Sequence, residues 1–421
     1  MKHLLTLIVL LQVILVFGQE PAVPNKLYLT PELLFGITGE ANTGFPETKL
    51  QKQLSLNVAW NNSQNAQTWA RLLNAPKTGL SLGFTDFGNP DAVGYAVSVL
   101  PFMEFGLFKK QTFHIHVGTG FSYFNTQYDP VRNPNNKAIS TDFTWSFKLL
   151  TYYSVFRTQH INWRLAAGYF HHSNGHIKLP NQGLNSFLVS ISAEIGVVKQ
   201  LHNTVLDDVA VDAESKGTQQ YYAWRFGYGK NALSRTFNDA NPVYTFSGEY
   251  GKIFNGIYKV GIGFYYRFYQ NYYNYIVDNE SLVQDGQEFD HFKERPFWSA
   301  SNLGLSINGE LLLNHVGIEV QVGFNVYKPA YALDWRINQG WEIVPREIPE
   351  NSNIELGEYN TYYHIKHLIS SRLGLKYYLI GTQKQPKHNL YVGAFINANL
   401  GQADFTEIAM GYVHTFKKAS L

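Results

Sequence analysis

The chain has no cysteine among its 421 residues. That excludes a disulfide framework and the lipidated cysteine of a lipoprotein anchor. Charge is also scarce: Asp, Glu, Lys and Arg make up 16% and the formal net charge is +2. So even a balance implies no nucleic-acid or polyanion partner. Beyond its first residues the chain has no long apolar run. The most apolar later stretch, 92–108, is interrupted by Pro101 and Glu104, so no transmembrane helix, which needs about 20 apolar residues, is expected. No internal repeat relates the two halves.

What the chain does have begins with Met1-Lys2-His3, an apolar run over 4–17, then Gly18-Gln19-Glu20. A basic start, a short apolar core and a small residue have the layout of a signal peptide, expected over 1–18 and leaving 19–421. The chain as a whole is rich in aromatics (15%), with 28 Tyr and 29 Phe, and has 35 Gly. Its segments alternate. Phe113, Ile115, Val117, Phe121 and Tyr123 oppose His114, His116, Gly118, Gly120 and Ser122. Val316, Ile318, Val320, Val322 and Phe324 oppose Gly317, Glu319, Gln321, Gly323 and Asn325. Leu390, Val392, Ala394 and Ile396 oppose Asn389, Tyr391, Gly393 and Asn397. Strand side chains point alternately to opposite faces. One face is therefore compatible with lipid and the other is polar or small.

This pattern predicts an all-β fold, an antiparallel transmembrane β-barrel of the outer membrane, with about sixteen strands; twelve or fourteen stay open. A soluble secreted sandwich or propeller fits less well, because so many strands carry one continuous apolar face. The expected strands include 28–38, 160–172, 185–198, 360–379 and 405–416. If the N-terminus is periplasmic, odd strands run outward. Short connections, such as Asn255 and Gly256, then fall inside, and the long ones, 273–296 and 329–359, fall outside. Two inner connections are longer. The stretch 62–77 reads as helical, with Trp69, Leu72 and Leu73 on one stripe. The stretch 199–217 is acidic and polar. One large barrel over 19–421 is the leading organisation, and two eight-stranded units joined at 199–217 are the alternative.

The segment 161–195 is the most informative. Before its polar loop, Ile161, Trp163, Leu165, Ala167, Tyr169, His171 and Ser173 share a face; after it, Asn185, Phe187, Val189, Ile191, Ala193 and Ile195 do. His171, Ser173 and Asn185 thus meet at one edge of an apolar surface. A serine hydroxyl needs a base to take its proton. His171 lies two residues away on the same face, with Cβ atoms roughly 7 Å apart by strand rise. Asn185 can accept from the other ring nitrogen and fix the tautomer. Asn181 and loop N–H groups near Asn174 and Gly175 can supply oxyanion donors. Glu194 lies about 30 Å down the strand on the polar face and cannot take part. The plainer reading is that Ser173-Asn174-Gly175 is only a turn and His171 a rim residue.

Other candidates are weaker. His114 and His116 share the lumen face but lack a third ligand, so no metal site is expected. His172 points the same way and reads as structural. Lys178 could meet a phosphate or simply be solvated. Asp86 reads as a turn former or a supporting residue. Arg164 and Glu194 share the lumen face on neighbouring strands and could pair. The aromatic run 264–275 reads as an interface girdle.

His171-x-Ser173-Asn174, then Pro180-Asn181-x-Gly183, then the residue twelve after the serine, resembles the lipid A 3-O-deacylase (PagL) and acyloxyacyl-hydrolase-like family. So does the stretch 79–82 followed by Thr85-Asp86-Phe87-Gly88-Asn89-Pro90. The resemblance covers roughly 60–200. It implies Ser173 as nucleophile, His171 as general base and Asn181 as oxyanion donor. Position 185 departs from it, holding asparagine where the family often has glutamate. In that respect the chain is similar to the outer-membrane phospholipase A family, whose His-x-Ser-Asn-Gly string also has asparagine twelve residues on. That likeness implies calcium and a homodimer.

The expectation is therefore an outer-membrane serine esterase that removes an ester-linked acyl chain from lipid A of lipopolysaccharide. The alternatives are an outer-membrane phospholipase A, and a porin or transporter barrel without catalysis.

Overall fold

The computed structural model describes residues 27–108, 112–158, 160–196, 217–338 and 360–416. The expected signal peptide over 1–18 and nearly all of 199–217 lie outside the described residues. Among the described residues there are sixteen antiparallel strands, and they close as two barrels of eight rather than one of sixteen. The first barrel comprises β1 (Leu27–Thr38), β2 (Gln51–Asn61), β3 (Lys77–Asp86), β4 (Tyr95–Leu107), β5 (Phe113–Phe124), β6 (Phe143–Arg157), β7 (Ile161–Ser173) and β8 (Leu184–Gly196). The second comprises β9 (Thr218–Asn231), β10 (Asn241–Phe254), β11 (Tyr258–Tyr269), β12 (Ser301–Leu313), β13 (Val316–Tyr327), β14 (Ile369–Tyr378), β15 (His388–Asn399) and β16 (Gln402–Thr415).

Closure corrects the leading sequence reading. β8 returns to β1 in the register Leu33↔Ile191, and β16 returns to β9 in the register Met410↔Phe226. Alternation determines which face of a strand is apolar, but it says nothing of which strand closes on which. The same strand list and the same loop parity serve both closures.

Each barrel has the faces that alternation demands. On β7, Trp163, Leu165 and Ala167 are exposed outward, and Asn162, Arg164, Ala166, Phe170 and His172 are buried inward. An eight-stranded lumen is just wide enough for side chains to fill, and here polar ones fill it. In the first barrel Arg164 reaches Glu104 (2.8 Å) and Glu194 (3.1 Å), the latter as expected. Lys77 bridges the same two carboxylates. Glu32 accepts from Ser190 (2.6 Å), Tyr152 (2.8 Å) and Asn57 (3.1 Å), tying the closing strands to the far wall. In the second barrel Glu310 accepts from Lys259 (3.0 Å), Lys376 (2.8 Å) and Tyr378 (2.6 Å). Arg372 lies between Glu319 (2.5 Å) and Glu407 (3.3 Å).

The turns follow their chemistry. Asn255 (φ 53°) and Gly256 (φ 71°) both adopt the left-handed conformation that a tight hairpin requires. The helical reading of 62–77 holds for a short helix, α1 (Thr68–Leu72). Trp69 is buried there, but Leu72 is 44% exposed, so the apolar stripe is narrower than its sequence suggests.

The second barrel carries larger connections at one end: α2 (Gln270–Val277), α3 (Pro296–Ser299), α4 (Ala330–Asn338) and α5 (Asn360–Leu368). Tyr272, Tyr275, Ile276, Val283, Phe289, Phe292 and Leu333 form an apolar cluster with Tyr269 and Phe405 of the strands. The expected strand 360–379 is corrected here, since its first nine residues are α5 and only Ile369 onward is strand. Tyr363 and His367, four residues apart on one helical face, both pack on Tyr331 of α4 (5.6 and 6.0 Å between ring centroids). A helix makes that pairing and a strand does not.

Candidate active site

β7 and β8 of the first barrel place the expected residues together. His171 and Asn185 are directly opposite in the pairing register, where cross-strand Cβ atoms lie about 5 Å apart. His171 Nδ1 is 2.7 Å from Asn185 Oδ1. Ser173 follows two residues later on the same outward face and is only 8% exposed. On the other flank, β6 sets Phe147 opposite His171 and Trp145 opposite Ser173.

The loop 174–183 folds back over the strand end. The Asn174 N–H donates to Asn181 Oδ1 at 3.0 Å. That bond decides which way the Asn181 amide points, because Oδ1 is taken and Nδ2 is left facing the serine. Nδ2 donates to Ser173 Oγ at 2.9 Å. The Asn174 side chain is buried and donates to Ser140 Oγ at 3.1 Å, anchoring the loop to the barrel. Gly175 (φ 66°) and His176 (φ 68°) make the turn itself. At the loop's end Gly183 adopts φ +76°, and a Cβ there would stand 2.9 Å from His171 Cε1. Only glycine fits both the conformation and the close approach.

Ser173, His171, Asn185 and Asn181 are thus gathered as the sequence suggests, with Gly175 in the turn between them. With Asn185 Oδ1 accepting from Nδ1–H, the imidazole Nε2 keeps its lone pair and can take a proton. An amide N–H stands at the serine oxygen, as stabilisation of a negative oxygen would require. The orienting group is a neutral amide rather than a carboxylate.

Residues outside this cluster have other roles. His114 and His116 line the lumen, where His116 Nδ1 is 3.9 Å from Glu104. Among the described residues no three His, Asp or Glu side chains converge as a metal site would. His172 is fully buried, bonded to Ser146 Oγ at 2.8 Å and packed against Phe170, Phe124 and Phe87. Asp86 is a turn former, accepting the Gly88 N–H at 2.9 Å. Lys178 is exposed. Sequence reasoning missed two contributors, Gly183 and Tyr169. The Tyr169 hydroxyl lies 2.5 Å from Asn185 Oδ1. Its signal was present in the spacing Tyr169-x-His171-x-Ser173, three polar groups in line on one face.

Comparison with known proteins divides the chain at the same place. Residues 48–194 match the family described as lipid A 3-O-deacylase (PagL), and residues 215–340 match the family described as acyloxyacyl hydrolase, C-terminal domain. No curated protein matches. Among solved structures, the outer-membrane enzyme PagL is 14% identical, with 39% of this chain and 97% of that one covered and a TM-score of 0.29. A mutant of the Rh. blastica porin is 12% identical, covering 93% of this chain and all of that one, with a TM-score of 0.17. Outer membrane phospholipase A from Escherichia coli is 10% identical, covering 91% and 89%, with a TM-score of 0.14. The two family matches thus fall one on each barrel: the lipid A 3-O-deacylase (PagL) match runs from β2 into β8, and the acyloxyacyl hydrolase C-terminal domain match runs from β9 past α4.

Proposed function

We propose that the first barrel is a serine esterase that removes an ester-linked acyl chain from lipid A in the outer membrane. The observation that carries this reading is the run of contacts at the end of β7: Asn185 on His171 (2.7 Å), and Asn181 on Ser173 (2.9 Å), all on the outward, apolar side. The family match over 48–194 supports the substrate class.

In this mechanism Ser173 Oγ attacks the ester carbonyl as its proton passes to His171 Nε2. The carbonyl oxygen becomes an oxyanion and accepts from Asn181 Nδ2, with Gly175 shaping the loop that supplies further N–H groups. The C–O bond to the sugar breaks, and His171 returns the proton to the departing alcohol. Water, deprotonated by His171, then cleaves the acyl–serine ester. It releases the fatty acid and restores the serine. Asn185 holds the imidazole throughout.

The porin alternative depended on a sixteen-stranded lumen. Two eight-stranded barrels crossed by buried ion pairs argue against a conducting pore. The phospholipase A alternative, with its calcium and homodimer, is separated by substrate.

The test is mass spectrometry of lipid A from cells expressing the chain beside a Ser173→Ala variant. Loss of one acyl mass with the intact serine, and a fall of about a thousandfold or more in the variant, is expected. Unchanged lipid A with both proteins would overturn the reading. Phospholipid cleavage in its place would transfer the same triad to phospholipase chemistry.

A further inference from the structure

The Asn185 side chain has two unlike ends. Oδ1 can only accept a hydrogen bond and Nδ2 can only donate one. With Oδ1 toward His171, the imidazole carries its proton on Nδ1 and Nε2 is free to act as a base. With Nδ2 toward His171, the imidazole must accept at Nδ1 and carry its proton on Nε2, where it blocks the base. A carboxylate at this position has no wrong way round.

Tyr169 distinguishes the two orientations. It lies two residues before His171 on the same outward face of β7, and opposite Phe187. Its ring is nearly parallel to the imidazole (11° between planes, centroids 6.3 Å apart) and packs on Phe187 (5.5 Å). The phenol donates to Asn185 Oδ1, and His171 Nδ1 stands farther off at 3.5 Å. Turned over, the amide would present N–H groups to a phenol O–H that would then lack a good acceptor. On an apolar outer face, little water is present to replace one.

We propose that Tyr169 is a positioning residue. Its hydroxyl holds the Asn185 amide with Oδ1 toward His171, and so keeps the imidazole in the tautomer that can take a proton. This rests on the esterase reading of Ser173, His171 and Asn185. Tyr169 brings no charge and touches neither the serine nor the ester. A second donor on Oδ1 draws electron density from the bond to His171, so the role is orientation and not stabilisation of the imidazolium.

The experiment is a double-mutant cycle in the full chain, with Tyr169→Phe and the isosteric Asn185→Asp, alone and together. Tyr169→Phe keeps the ring packing and removes only the O–H. Expected is a fall in kcat of about tenfold with KM within about twofold, as one partly buried hydrogen bond is lost. In the Asn185→Asp background the same change should alter kcat by less than about twofold, because a carboxylate offers oxygen at both ends. The ¹⁵N shifts of the His171 ring should report Nδ1–H in the parent and a growing Nε2–H population in Tyr169→Phe. An equal loss in both backgrounds, or parental kcat and tautomer in Tyr169→Phe, would overturn the proposal. A parent chain without esterase activity would sink the triad reading instead. The tautomer measurement would still decide the latch.

Discussion

The seventh and eighth strands of the two barrels make a useful pair. In the first barrel, β7 and β8 are joined by the ten-residue connection 174–183, and the last outward positions before it are Tyr169, His171 and Ser173. In the second, β15 and β16 are joined by Leu400 and Gly401 alone, and the matching positions are Ala394, Ile396 and Ala398. The frames are alike: eight strands, apolar outside, ion pairs within. The difference lies in the connection. A two-residue turn cannot return an amide to the strand end as Asn181 returns to Ser173, nor lay a glycine against the imidazole as Gly183 does. The second barrel has its long connections elsewhere, over 270–300 and 328–368, where they carry helices and an apolar cluster. Chemistry resides in what a rigid frame presents, not in the frame itself.

The comparison can be broken most forcefully from within the second barrel. Glu310 pairs with both Lys259 (3.0 Å) and Lys376 (2.8 Å) in the lumen. Glu310→Gln should cost about 3–5 kcal/mol in urea unfolding, since it leaves Lys259 with Glu249 alone and Lys376 with Glu319 alone, and takes one negative charge out of the buried cluster. If catalysis belongs to the first barrel, the folded fraction should deacylate within about twofold of the parent. A proportional loss of activity would show that the second barrel takes part.

The next effect is on the loop. Asn181→Ala removes the donor at Ser173 Oγ and the acceptor of the Asn174 N–H. A loss of about a hundredfold in kcat is expected, as for one oxyanion donor. Gly183→Ala should be milder, about tenfold in kcat and about 1–2 kcal/mol in stability, since the residue must sit at positive φ and press on the imidazole. Activity unchanged in Gly183→Ala would mean that the loop does not hold His171.

The smallest effect is one of pH in the cap of the second barrel. Lys328, just past β13, is buried, and its ammonium donates to Asn399 Oδ1 at 2.7 Å. Burial pushes it down to about 7, against the pull of Asp404. Between that value and the ordinary lysine range, the unfolded chain binds a proton that the folded chain does not, so stability rises with pH from about 7 to about 10.5. Lys328→Met should flatten that rise by a few degrees in Tm across the window. Identical slopes in parent and variant would contradict it.

Much of this was legible in the chain. The faces of the strands follow from period-two alternation, and the grouping of Ser173, His171 and Asn185 follows from two facts in the sequence: His171 and Ser173 share a parity, and Asn185 heads the apolar set of the next strand. Gly183 and Tyr169 were less visible, because each matters through a contact between segments, one with the His171 ring and one with the Asn185 amide. Closure into two barrels was not legible, since Leu33 carries no mark that its partner is Ile191. The helix over 360–368 was hidden for a similar reason. Its apolar residues suit either period, and Tyr331 decides between them.

Ser173 lies at the end of β7 on its outward, apolar flank. If Ser173 is the nucleophile proposed above, it does not sample a bulk concentration. It samples a mole fraction, the share of neighbouring molecules in the leaflet that carry the right ester. Rates in mixed micelles should then fall as inert detergent is added at constant lipid, although the amount of substrate in the tube is unchanged. The saturation constant would be a surface composition without units of volume, and crowding of the leaflet by other lipids would inhibit without any binding at all.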